Sequence, residues 1–204
     1  MLDFFLNDFY VCNDLLNTPV REIEFCVLDF ETTGLYPYNG DRIVEAGIVR
    51  IQADKFLGNY ETLINPCIPL SEEVTRINHI TNDMVKNAPL MESKIDEIMA
   101  FITNSVIAGH NLSFDISFLN YQLQKMNRPK VNLWLVDTLK VSKELLPNLE
   151  RYTLQQITSA LKIRQRESHR ALPDAKAAAK LLQVLMQKLP PGSTLQALQA
   201  YKIQ

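Results

Sequence analysis

Apolar side chains along this chain follow two rhythms. Between Glu24 and Asn65 they come in dense short runs, EFCVLDF (24–30), RIVEAGIVRI (42–51) and FLGNYETLIN (56–65), divided by brief polar turns. Runs of this length and composition read as strands, and turns this short favour antiparallel pairing. Pro66 and Pro69 end that stretch, and beyond them the rhythm alternates. Ile95, Ile98, Met99 and Ile102 fall at i, i+3, i+4, i+7 and predict a helix over 91–103. SVIAG (105–109) reads as a strand, 113–126 as a helix, VNLWLV (131–136) as a strand, and 138–146 as a helix stopped before Pro147. Thr153 and Gln156 have capping-box spacing for a further helix. In the last long helix Pro173 suits the first position, and Ala178, Leu181, Leu182, Leu185 and Leu189 supply the apolar face until Pro190-Pro191-Gly192. Three antiparallel strands followed by βα alternation predict an α/β fold, with a mixed central sheet of about five strands flanked by helices.

Three regions follow from this division. Residues 1–22 form an appendage in which Phe5, Phe9, Cys12 and Leu16 have helical spacing, 23–190 form the main domain, and 191–204 form a tail. The N-terminus carries Asp3, Asp8 and Asp14 and no early Lys or Arg, unlike a secretory signal peptide. No apolar run approaches the ~20 residues that span a bilayer. Cys12, Cys26 and Cys67 match neither a disulfide framework nor a zinc site, which suits the cytoplasm. The net charge of −2 gives no overall attraction for polyanions. Its distribution says more: residues 151–180 hold seven basic side chains against two acidic ones, whereas 1–31 hold seven acids and one Arg.

Candidate chemistry begins with Asp29-Phe30-Glu31 at the end of the first strand. Alternate strand residues share a face, so these two carboxylates project together. Two carboxylates closing an apolar strand are costly unless a cation lies between them, and hard divalent ions prefer oxygen ligands. By itself the pair is equally an acidic turn in water. Asp115 falls in the first turn of a helix after His110-Asn111, and Asp174 at the start of the last helix after His169. There a carboxylate is also welcome simply as a partner of the helix dipole.

The conjunction is more specific than its parts. A strand ending in Asp-x-Glu, a later strand-loop-helix with Asp, and His-x-x-x-x-Asp entering a late helix together resemble the DEDDh group of 3′–5′ exonucleases. Within that group the likeness is to the proofreading exonucleases of bacterial replicative polymerases. The resemblance runs from about Glu24 to Leu189 and includes RINHIT (76–81) and VDTLKVSKELLP (136–147). It implies a ribonuclease H-like fold and a site using two divalent metal ions, Mg²⁺ or Mn²⁺. Asp29, Glu31 and Asp174 would hold one ion, Asp29 and Asp115 the second, and His169 would act as general base. Thr33, Leu35, His79 and Asn111 would meet the terminal nucleotide. Arg164, Arg166 and Arg170 could attract the phosphate chain, and Asp137 is read as structural. The expected partner is the 3′ end of a single strand, DNA being favoured, with a DNA polymerase subunit as a further candidate. An exoribonuclease of the same fold, and a nuclease-like module that mainly binds a polymerase, stand as alternatives. Whether the chain acts as a monomer or a homodimer is not legible.

Overall fold

A computed structural model describes residues 15–165 and 168–203. The predicted stripe at Phe5, Phe9 and Cys12 lies outside the described residues. The chain builds strands β1 (Glu24–Thr32), β2 (Ile43–Gln52) and β3 (Lys55–Leu63). Two short helices follow, α1 (Glu72–Asn78) and α2 (Asn82–Val85). Then come α3 (Met91–Ile102), β4 (Val106–Gly109), α4 (Ser113–Lys125), β5 (Leu135–Asp137) and α5 (Thr138–Leu145). Helices α6 (Leu154–Ala160) and α7 (Ala171–Lys188) follow.

These strands form the predicted mixed sheet, in the order β3-β2-β1-β4-β5. β1–β2 and β2–β3 are antiparallel, whereas β1–β4 and β4–β5 are parallel. The period of two along β1 divides the core. Phe25 and Val27 point to the side covered by α5, α6 and α7, where Val49, Ile51, Ala175, Ala178 and Leu182 pack. Cys26, Leu28 and Phe30 point to the side of α3 and α4, against Ile95, Ile98, Ile116 and Leu119. Fully burying an aliphatic or aromatic side chain of this size contributes about 1.5–3 kcal/mol, so both faces hold β1 at the centre.

Several boundaries differ from the sequence reading. The strand predicted over 131–136 is observed only as Leu135–Asp137, because the Val131 N–H donates to the Asn120 side chain at 2.8 Å and leads the preceding segment off the sheet. α7 starts at Ala171, which puts Pro173 third rather than first; its missing N–H costs nothing there because first-turn donors have no partner within the helix. Thr153 Oγ1 accepts from the Gln156 N–H at 3.3 Å as expected of a cap, while the Gln156 side chain meets the Thr153 hydroxyl instead of its backbone. The segment after Pro191 packs on the body. Leu195 and Leu198 are buried, and Tyr201 exchanges two backbone hydrogen bonds with Leu135. Among the described residues no helix is long and apolar enough to cross a membrane.

Candidate active site

β1 and β4 run parallel side by side, so their C-terminal ends and the loops after them open at one edge of the sheet, the usual place for ligands in open α/β sheets. Asp29 and Glu31 share the α7 face with Phe25 and Val27. α7 approaches closely because β2 places Gly47 directly across from Asp29. A Cβ at Gly47 would sit 2.2 Å from the Leu172 nitrogen and 2.3 Å from the Ala171 carbonyl carbon. The closeness brings Asp174 in: one oxygen each from Asp29, Glu31 and Asp174 lie within 4.8 Å of one another.

Asp115 arrives from the other face. It lies in the first turn of α4, is buried, and accepts the Phe30 N–H at 2.8 Å, which sets it beside the backbone between Asp29 and Glu31. The structure thus gathers all four acidic residues singled out in the sequence. His169, in the left-handed region at φ 59°, donates its backbone N–H to Asp174 Oδ2 at 3.0 Å, and its ring is exposed. The ring is near enough that its charge favours ionised Asp174.

Burial and mutual repulsion make this cluster electrostatically expensive. Asp29 is pushed well above the usual carboxylate range by desolvation, then by Asp115, Asp174, Glu31 and Glu45. Glu31 rises to about 8 through desolvation, Asp174, Glu45 and Asp115, with Arg170 acting in the opposite direction. Asp115 rises to about 8, chiefly through desolvation, even though the Phe30 N–H opposes the shift. Desolvation also raises Asp174, against hydrogen bonds from His169 and Gln165. Convergent hard oxygens that repel one another when ionised fit a divalent cation, whose charge would replace the protons.

Two supporting residues, Glu45 and Gln165, escaped sequence reasoning, and a third, Arg170, has a different part from the phosphate contact expected of it. Glu45, opposite Glu31 across β1–β2, is fully buried and takes Arg170 as a two-pronged partner at 3.0–3.1 Å from Nε. It also accepts the Ala171 N–H at 2.8 Å and so caps α7 from the neighbouring strand. Arg170 is therefore engaged by a carboxylate and is not simply a surface anchor for phosphate. Gln165 donates its amide to Asp174 Oδ1. No local signal marks these residues, since Glu45 and Arg170 lie 125 positions apart.

The remaining residues are placed as follows. Thr33 Oγ1 accepts the Arg42 N–H at 2.9 Å and closes the β1–β2 loop, from which Leu35 projects 65% exposed. His79 ends α1 in a left-handed turn and is exposed. Asn111 has φ 62°, and its backbone N–H donates to Asp137 Oδ1 at 3.0 Å. The same oxygen accepts the Leu139 N–H at 3.0 Å and caps α5, so Asp137 has the structural part expected of it. Arg164 lines a separate cavity of about 430 Å³ with Lys176 and Lys180, and Arg166 lies outside the described residues.

A carboxylate cluster at the C-terminal edge of a five-stranded mixed sheet, able to hold a metal ion, lies on a ribonuclease H-like frame. The chain belongs to the exonuclease family, whose sequence profile matches residues 26–182. Among its relatives, the PolC-type DNA polymerase III of Caldanaerobacter subterraneus subsp. tengcongensis is 37% identical over 168 residues, 82% of this chain and 12% of that protein. That of Thermotoga maritima is 37% identical over 157 residues, 77% of this chain and 11% of that protein. The chain therefore spans only about an eighth of the length of these curated relatives. Among solved structures, exonuclease X in complex with 5′-overhanging duplex DNA superposes with a TM-score of 0.68 at 25% identity, covering 85% of this chain and 96% of that one. The nuclease domain of 3′hExo, a DEDDh family member bound to rAMP, shares the fold with a TM-score of 0.73 at 17% identity, covering 87% and 97%.

Proposed function

We propose that this chain removes nucleotides one at a time from the 3′ end of single-stranded nucleic acid, DNA in preference to RNA, in a proofreading or repair setting in the cytoplasm. The observation that carries this reading is the convergence of Asp29, Glu31 and Asp174 within 4.8 Å, with Asp115 beside them. Asp29, Glu31 and Asp174 would hold one Mg²⁺ or Mn²⁺, and Asp29 with Asp115 a second. Such a pair, when bound, activates the attacking water and stabilises the leaving oxygen. His169 receives the proton of the attacking water, a task suited to an imidazole that stands exposed at the cluster. The bond from phosphorus to the 3′ oxygen breaks, leaving a strand one nucleotide shorter and a nucleoside 5′-monophosphate. Thr33, Leu35, His79 and Asn111 surround the terminal nucleotide, with the exposed Leu35 against its base. The PolC-type relatives support a polymerase partner.

The test is a 5′-labelled single strand incubated with purified protein and Mn²⁺. A ladder shortening from the 3′ end, lost in EDTA and reduced about a thousandfold or more by Asp174→Asn, is expected. Absence of metal-dependent shortening, or shortening indifferent to Asp174→Asn, defeats the proposal. A matched RNA strand degraded faster than the DNA would move the substrate assignment to RNA, since the 2′-hydroxyl is what distinguishes them.

A further inference from the structure

The β1–β2 loop shows more ordered apolar surface than folding requires. Leu35, Tyr36 and Tyr38 are 65%, 62% and 67% exposed. The loop is nevertheless tightly built. Asp41 turns inward to accept the Tyr36 N–H at 2.9 Å and the Thr33 hydroxyl at 3.3 Å, and Gly34 makes room, since a Cβ there would lie 2.4 Å from the Asp41 carboxylate. Pro37–Asn39 forms a 3₁₀ turn, and Arg42 ties back to the Gly40 carbonyl at 2.7 Å. Tyr38 stands edge-on to Tyr121 of α4, with ring centroids 5.1 Å apart and planes at 71°. The charged ends of Arg42 and Lys125 both lie 6.0 Å from the Tyr121 ring. This cluster starts where β1 delivers Glu31 and reaches α4 about 9 Å along the helix from Asp115.

From this arrangement we infer that Tyr36, Tyr38, Tyr121, Arg42 and Lys125 form a platform for the single strand just upstream of the terminal nucleotide. The inference rests on the exonuclease reading and extends its site. Rigidly held exposed rings give unpaired bases a stacking surface, and cations beside them match the phosphates, the combination by which proteins hold single strands without reading sequence. A duplex offers no free base faces, so the platform selects frayed or single-stranded ends.

The test uses the full chain and two substrates. The p-nitrophenyl ester of thymidine 5′-phosphate occupies the carboxylate site alone, while an oligothymidylate reaches the platform as well. For Tyr38→Ala, and separately for Lys125→Ala, the ratio of kcat/KM on the oligomer to kcat/KM on the ester should fall about tenfold, carried by the oligomer's KM. Tyr38→Phe should restore the ratio, and Lys125→Ala should lower the salt dependence of the oligomer's KM by about one counterion. A ratio held at the wild-type value, whether both substrates suffer equally or neither does, overturns the inference and leaves the rings to some other partner. If the wild-type chain cleaves neither substrate, the exonuclease reading fails by itself. Fluorescence anisotropy of labelled oligothymidylate in EDTA then judges the platform, and equal affinity of wild type and Tyr38→Ala rejects it.

Discussion

Each carboxylate of the cluster is kept from ionising first by its burial and then by acidic neighbours. Glu31 and Asp115 are both raised to about 8 in the folded chain, against ordinary values near 4. Between those limits the folded protein holds protons that the unfolded chain has already released, so the contribution of these two groups to stability is full below about pH 4 and is lost as pH rises toward 8. In EDTA the melting temperature should therefore fall by roughly 5 °C or more between pH 5 and pH 8.5, a shift within reach of about 2 kcal/mol in a chain of this size. Saturating Mn²⁺ should remove that decline, because the ion binds the ionised carboxylates that repulsion otherwise disfavours. Differential scanning fluorimetry with and without metal measures both; equal slopes would mean the cluster holds no ion. The same repulsion predicts that Asp29→Asn raises the melting temperature in EDTA while abolishing metal-dependent hydrolysis, a stability gain at the expense of function.

Position of whole elements depends on two contacts between β2 and α7. Gly47 lets the first turn of α7 rest on the sheet, and a methyl group there meets backbone, which cannot swing aside as a side chain can. Gly47→Ala should destabilise the fold by about 1–3 kcal/mol and also weaken Mn²⁺ binding by displacing Asp174. Titration calorimetry and thermal melts separate the two effects, and unchanged metal affinity would show that Asp174 reaches the cluster independently of that packing. The second contact is the Glu45–Arg170 pair. Arg170→Met leaves a buried carboxylate among four others and should cost about 3–5 kcal/mol, whereas Glu45→Gln with Arg170→Met should recover most of the loss. Chemical denaturation of the single and double variants decides whether the pair acts as a unit.

Over the whole molecule, the chain's last residues bind its first strands' neighbourhood. The Leu195 N–H donates to the Thr18 carbonyl at 3.0 Å, the Val20 N–H to Ser193 at 2.9 Å, and Leu135 pairs with Tyr201 along the outer edge of β5. With Leu195 and Leu198 buried against α7's side of the sheet, removing residues 191–204 should lower stability by about 3 kcal/mol or more. Thermal melts of the shortened chain check this, and an unchanged melting temperature would show that the segment is dispensable for folding.

Hydrophobic period was enough to place strands at 24–30, 42–51 and 56–65, the α3, α4 and α7 helices and the mixed sheet, because faces that must be buried repeat along the chain at the spacing of their element. α1 and α2 escaped, being too short for a period to emerge, although Ser71 and Thr81 cap them. The four acidic residues and His169 were legible through motif context, which local chemistry alone left open to capping roles. Only the tertiary structure decided which side of β1 faces α7, and therefore that Asp29, Glu31 and Asp174 meet while Asp115 comes from the opposite face. The same holds for Glu45, Gln165, Gly47 and the Tyr38–Tyr121 platform. Glu45, Gly47 and Tyr38 meet partners far along the chain, and Gln165 meets Asp174 across the segment before α7, so nothing in their own neighbourhood distinguishes them until the fold brings the partners together.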